Sequence, residues 1–408
     1  MDTRLPLRIA QVAPPSEPVP PPGYGGTERV IDELVRELMR RGHDVTLFAS
    51  GDSRTAGRLV PTVPQALRPA GQDGDGVTEM IATVCRVAEE GAEFDVIHSH
   101  LEWWSVLLGR MLPVPVAATF HGRLDRDHAT PVLAPLGNGL VAISRNQASV
   151  HPDLPWTVVH NGLTLDDAPC PGARSDDICF IGRLDAEKGA LDALEVAQLS
   201  GRRVRIAAKI GPLSWQRQHY QEVFLPALRA AGSAAEFVGE LSPQDRDRLI
   251  SESHATIMPG AWPEPFGLVA IESLACGTPV VARRVGGLPE IIREGIDGYF
   301  GDDPAQLAFQ LERVGGLDRT AIRASVVDRF SASRMADGYE ALYRRLVAEH
   351  RRQRRRLART VTVRPPPLRP IGVGPRALVR GGDGDGTDGE LAISRPGIRG
   401  LERKARRA

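Results

Sequence analysis

The chain has 408 residues, 42% of them apolar and 25% charged, which is too long for one ordinary core and has the composition of a soluble globular protein rather than a fibrous or disordered one. Its formal net charge of zero hides an asymmetry: residues 351–408 hold sixteen Lys/Arg against five Asp/Glu, so the tail carries about +11 and the body about −11. The four cysteines (Cys85, Cys170, Cys179, Cys276) share no paired-ligand spacing, which argues against a disulfide framework or a zinc site. With no run of about twenty apolar residues and no signal-like start, a cytoplasmic protein is expected.

Leu7–Ala13 alternates like a strand entering a sheet. A proline-rich loop follows, ending in Gly23-Tyr24-Gly25-Gly26-Thr27-Glu28-Arg29, with Thr27 placed to cap a helix whose apolar positions are Val30, Ile31, Leu34, Val35, Leu38 and Met39. Gly42 closes that helix and Asp44–Ser50 supplies the next strand, so the chain opens as a strand, glycine loop, helix and strand, the first unit of a doubly wound sheet. The glycines lack GxGxxG spacing and indicate only a close ligand approach or a turn. Residues 51–78 are interrupted by Gly and Pro and carry no element signal.

Glu79–Glu90 reads as a helix and Phe94–His98 as a strand ending in His98-Ser99-His100, whose histidines suit a crevice lining or a loop hydrogen bond better than a metal, since no third ligand has matching spacing. Trp103-Trp104 fits core packing, or a stacking platform for an acceptor. Val114–Phe120 delivers His121-Gly122 to the same edge, where His121 is either a satisfied buried histidine or a ligand-facing one. Leu140–Ser144 is another strand, and Thr157–Leu163 carries the turn His160-Asn161-Gly162.

A second alternating unit begins at Asp177–Ile181. Its loop, Gly182-Arg183-Leu184-Asp185-Ala186-Glu187-Lys188-Gly189, offers a planar fork in Arg183 and a mobile point charge in Lys188, either a surface pair or a clamp for phosphate oxygens. Val204–Ile210 and Ala235–Leu241 continue the strands. Then Ala255–Met258 reads as a short buried strand broken by Pro259, Gly260 and Pro263, before a helix opening near Phe266-Gly267 and stopping at Gly277. Glu264 falls in the loop at the strand's carboxyl end and Glu272 about two turns along the helix, with free backbone N–H groups between them. A carboxylate so placed can accept hydrogen bonds from sugar or ribose diols, or merely serve the helix dipole.

The string Glu264-Pro265-Phe266-Gly267 through Glu272 to Ala275-Cys276-Gly277-Thr278-Pro279 resembles the donor-binding signature of retaining glycosyltransferases of the GT-B fold, family four. Gly182-Arg183-Leu184 with Lys188-Gly189 resembles a second signature of that family, and weaker likenesses bring the span to residues 5–348. The resemblance implies two Rossmann-like, doubly wound parallel-sheet domains facing a cleft: an acceptor domain over 1–168, a nucleotide-sugar domain over 169–334 and a helix over 335–351 returning towards the first domain. The basic segment 352–408, rich in Arg, Pro and Gly, is expected to be disordered.

For the site, the resemblance implies catalytic roles for Glu264, His121, Arg183 and Lys188. It assigns nucleotide-sugar contacts to Gly25, Gly26, Phe266, Gly267, Leu268, Glu272, Gly239 and Leu241. The implied reaction moves a hexosyl unit from a nucleoside-diphosphate sugar, UDP-glucose ahead of GDP-mannose, to a small-molecule or lipid-linked hydroxyl acceptor, with no metal and no cofactor. The basic tail offers contact to an anionic or peripheral membrane surface, without specific nucleic acid. A sugar-nucleotide epimerase on the same fold, or a non-catalytic sugar-nucleotide-binding protein, is the rival reading.

Overall fold

A computed structural model describes residues 5–23, 25–71, 76–169, 175–211 and 213–361. Seven strands form the first sheet: β1 (Arg8–Val12), β2 (Asp44–Ser50), β3 (Arg58–Val63), β4 (Val96–Ser99), β5 (Val116–Phe120), β6 (Leu140–Ala142) and β7 (Thr157–Val158). They lie in the order β3-β2-β1-β4-β5-β6-β7, every pair parallel. Six strands form the second: β8 (Ile178–Arg183), β9 (Val204–Lys209), β10 (Ala235–Gly239), β11 (Thr256–Met258), β12 (Val280–Ala282) and β13 (Gly298–Phe300). Their order is β10-β9-β8-β11-β12-β13, again all parallel.

Parallel strands need crossovers that put helices on both faces, so the central strands bury nearly every residue. β5 and β12 do so completely. In each sheet the winding reverses once, between β1 and β4 in the first and between β8 and β11 in the second. Loops at the carboxyl ends of those four strands diverge and leave a crevice.

β3 is a strand that the Gly/Pro-broken stretch 51–78 conceals. It is an edge strand paired only with β2, with a register shift after Pro61, and an edge tolerates a residue that cannot donate to the ladder. The expectation of disorder from residue 352 also needs correction. The helix Ala332–Val361 runs on through Arg351–Arg356, a run of good helix formers with no Gly or Pro before Pro365. The remainder of the expected tail, 362–408, lies outside the described residues.

That last helix buries Met335, Tyr339, Leu342, Tyr343 and Leu346, and its tyrosines bond to the first sheet: Tyr343 Oη lies 3.1 Å from Gln11 Nε2 on β1, and Tyr339 Oη 3.0 Å from Thr119 Oγ1 on β5. One apolar cluster takes in Ile9 and Ile31 from the first sheet's layers, Ile271 and Val280 from the second's, and Phe330 and Tyr339 from the closing helices. Phe330 sits edge-on to Phe266, ring centroids 5.8 Å apart, and 5.7 Å from the His160 ring.

Truncating Phe330 to Ala removes that junction and is expected to cost about 3–5 kcal/mol. Urea unfolding of the variant checks this. A loss below about 1 kcal/mol, within the range of an ordinary surface change, would contradict the packing described.

Candidate active site

The loops after β1, β8 and β11, with His121 after β5, line a cavity of about 200 Å³. The loop after β1 contributes Gly25 and Gly26, that after β8 Lys188, and that after β11 Glu264, Phe266 and Gly267; His121, after β5, closes the first-domain side. Two glycines sit at close approaches. A Cβ on Gly26 would lie 3.1 Å from Leu268 Cδ1, so the first domain's glycine loop rests on the start of the helix Leu268–Ala275 across the cleft. A Cβ on Gly286, whose φ is +58°, would lie 2.1 Å from the Glu264 carbonyl oxygen, while Gly287 N–H donates to that oxygen at 2.7 Å. The Glu264 backbone is therefore held by a backbone contact, while Phe266 two residues on packs its ring against Phe330.

Charge is paired within the cavity. Lys188 Nζ donates to Glu264 Oε2 and stands 4.9 Å from the centroid of the Trp262 ring. Glu272, only 6% exposed, accepts from Arg29 Nη1 of the first domain and lies 3.0 Å from Arg246 Nη1 of the second. One buried carboxylate thus ties the two domains through two guanidinium groups.

His121 is half-buried at the cavity wall, and desolvation pushes its ring down to about 4. Its backbone N–H and that of Gly122 both donate to Glu102 Oε1, at 2.8 and 3.0 Å. Burial pushes the Glu102 carboxyl up to about 7 despite those two bonds. Glu102 also holds a left-handed backbone, φ +51°, unusual for a residue with a side chain.

Of the residues singled out in the sequence, Gly25, Gly26, His121, Lys188, Glu264, Phe266, Gly267, Leu268 and Glu272 line one cavity. Phe266 contributes backbone there, since its side chain is 2% exposed in the core. Arg183 is not among the lining residues; its guanidinium turns to Asp185 at 3.2 Å. Leu241 lines a separate recess of about 50 Å³ that shares Gly23, Ile181, Gly182 and Arg246 with the cavity, and Gly239 ends β10 beside it. His98 and His100 take part in hydrogen bonds rather than a metal site, and no group of three or more metal-ligating side chains occurs among the described residues. Sequence reasoning missed Arg29, Arg246, Glu102 and Trp262. Arg29 stood in the quoted glycine-loop string, but nothing local announces that it reaches Glu272, 243 residues on.

With this geometry in hand, comparison with known proteins is informative. The family model for glycosyltransferase family 4 matches residues 24–167, and that for glycosyl transferases group 1 matches residues 172–314. A D-inositol 3-phosphate glycosyltransferase from Acidothermus cellulolyticus is 30% identical over 85% of this chain and 92% of its own length. One of the same name from Mycolicibacterium vanbaalenii is 29% identical over 87% and 93%. Among solved structures, AviGT4, a glycosyltransferase involved in avilamycin A biosynthesis, superposes with a TM-score of 0.64 at 25% identity, covering 84% of this chain and 98% of its own. A Rickettsia africae glycosyltransferase gives 0.66 at 19% identity over 84% and 99%, which speaks to the fold alone. The chain belongs to the GT-B glycosyltransferases of the family 4 type. Among the described residues no helix is long and apolar enough to cross a membrane.

The raised Glu102 carboxyl fixes a sign. Its folded value near 7 lies above the ordinary carboxylate range, so the native state holds a proton there that the unfolded chain has lost. The protonated form's contribution to stability is present at low pH and is lost as pH rises through about 7. Wild type is expected to lose stability relative to Glu102→Gln between pH 5 and 8 in parallel thermal melts. A difference that does not change with pH contradicts the assignment.

Proposed function

We propose that this glycosyltransferase moves a hexosyl unit from a nucleoside-diphosphate sugar to a hydroxyl acceptor with retention at the anomeric carbon. UDP-glucose is the favoured donor and GDP-mannose the next. The relatives named for D-inositol 3-phosphate make a phosphorylated cyclitol the first acceptor to assay. The observation that carries the reading is the gathering of Lys188, Glu264 and Glu272 on one cavity between two parallel sheets.

Within the cavity Glu264 holds Lys188, and Glu272 holds Arg29 and Arg246. A bound donor exchanges these partners. Its diphosphate draws Lys188 away from Glu264, and Arg183 leaves its Asp185 contact, 3.2 Å long, and turns to the same oxygens. Freed from Lys188, Glu264 accepts from sugar hydroxyls beside the backbone N–H groups of Phe266 and Gly267. Glu272 takes the ribose diol, His121 faces the sugar, and the base lies by Gly239 and Leu241.

The bond between the anomeric carbon and the diphosphate oxygen breaks, and its electron pair leaves on the diphosphate, stabilised by fixed positive charge rather than by a metal. The acceptor oxygen bonds to the same face of that carbon and passes its proton to a departing phosphate oxygen. Closure of the cleft keeps out water, which would otherwise hydrolyse the donor. The reading places the protein in the cytoplasm, and the basic composition of residues 352–408 suits contact with an anionic surface.

Glu264→Gln should lower turnover by about a hundredfold or more, the scale of losing one preorganised polar contact at a developing charge, with affinity for UDP held within about threefold. Initial rates with UDP-glucose and inositol 3-phosphate, with calorimetry for UDP, check this; transfer near the wild-type rate would overturn the role of Glu264. Saturating EDTA should leave the rate unchanged, and its abolition by chelation would overturn the metal-free account. Donor incubated without acceptor should give slow hydrolysis and no isomer.

A further inference from the structure

Behind His121 runs a line of six buried side chains joined end to end. His121 Nε2 lies 2.9 Å from His100 Nδ1, and His100 Nε2 lies 3.0 Å from Gln11 Oε1. Gln11 Nε2 donates to Tyr343 Oη at 3.1 Å, and Tyr343 Oη lies 2.6 Å from His98 Nδ1. His98 Nε2 lies 2.7 Å from Thr119 Oγ1, which lies 3.0 Å from Tyr339 Oη. Apart from His121 at the cavity, all six have no accessible surface. The line crosses β1, β4 and β5 and ends on the helix Ala332–Val361, far along the chain from any motif.

The orientation of the Gln11 amide gives this line a direction. Its carbonyl oxygen can only accept, so the proton between it and His100 belongs to His100 Nε2. Burial holds His100 neutral, well below the usual histidine range, so its Nδ1 is bare and accepts from His121 Nε2. His121, neutral as well, is left with Nδ1 bare. In the other direction the amide N–H donates to Tyr343, whose own proton goes to His98 Nδ1; His98 Nε2–H then donates to Thr119, whose hydroxyl shares a hydrogen bond with that of Tyr339. Each link thus has one donor and one acceptor. Reversal needs the Gln11 amide to turn over and every proton to move together.

We propose that Gln11 and Tyr343 are positioning residues that hold His121 in the tautomer with its proton on Nε2, so that the C-terminal helix is a working part of the sugar site. His121 then offers the cavity a hydrogen-bond acceptor, which suits a sugar hydroxyl and not a sugar carbonyl or phosphate oxygen. The inference rests on the reading above that His121 faces the donor sugar. The groups next to the histidine pair are Glu102, bonded to the His121 and Gly122 amides, and His98, its ring centroid 4.0 Å from that of His100; behind His98 stand Tyr339 and Tyr343 of the last helix, their ring centroids 4.6 and 5.6 Å from that of His98. Among them only Glu102 carries a carboxyl.

The test uses the full-length enzyme with 15N-labelled histidine, in which the ring nitrogen shifts report the tautomer without any substrate. Wild type should show His121 as a single species protonated on Nε2. Tyr343→Phe keeps the ring but removes the hydroxyl between Gln11 and His98; it should give a mixture of His121 tautomers and a several-fold lower kcat, with UDP affinity within twofold. Gln11→Glu places a carboxylate against His100 and should move the acid limb of the pH–rate profile upward by one unit or more. Gln11→Met should lower kcat without that displacement. An unchanged single tautomer in Tyr343→Phe, or Gln11→Glu and Gln11→Met profiles that coincide, overturns the proposal. Tautomer mixing with kcat unchanged leaves the positioning intact and overturns instead the reading that His121 acts on the sugar.

Discussion

The structure depends on opposite charge gathered where two sheets reverse their winding. Two carboxylates, Glu264 and Glu272, and three cations, Lys188, Arg29 and Arg246, share one cavity and are paired there, one cation in excess. Removing such groups from water is costly, and the cost is offset only while each has a partner. A ligand that enters must replace those partners. A nucleoside-diphosphate sugar carries the two chemistries required, anionic oxygens for the cations and vicinal hydroxyls for the carboxylates.

The Glu272 cluster has a second consequence, because Arg29 and Arg246 come from different domains. Elsewhere across the cleft, Glu290 of the second domain accepts from the Arg145 and Asn146 amides at 3.0 and 2.9 Å and pairs with His160 at 2.9 Å. Burial alone would raise the Glu290 carboxyl, but these three bonds outweigh it and hold it below the usual range. The domains are therefore latched by polar contacts as well as by the apolar junction at Phe330. Polar latches exchange partners at smaller cost than a packed core separates, which suits a cleft that has to admit a substrate.

Much of the fold was legible because parallel strands buried on both faces leave continuous apolar runs, and the glycines and prolines after them mark the ligand-side loops. β3 was hidden because an edge strand needs neither a full apolar run nor freedom from proline. The helical stretch past Arg351 was hidden because arginine-rich composition describes a solvated helix and a disordered tail equally well. At the site, residues lying within a contiguous string, such as Glu264 to Glu272, could be read together. Arg246 and Tyr343 could not, since each acts through a partner distant in sequence: Glu272 for the first, Gln11 and His98 for the second. The rotation of Arg183 onto Asp185 is likewise a side-chain choice that no spacing encodes.

The most direct measurement is calorimetric titration of UDP into wild type and Lys188→Met. Losing a charge-assisted contact to the diphosphate is worth about 1.5–3 kcal/mol, so binding should weaken by roughly tenfold or more. Equal affinity in the two proteins would show that the diphosphate does not meet Lys188, and the account of the cleft would fail with it.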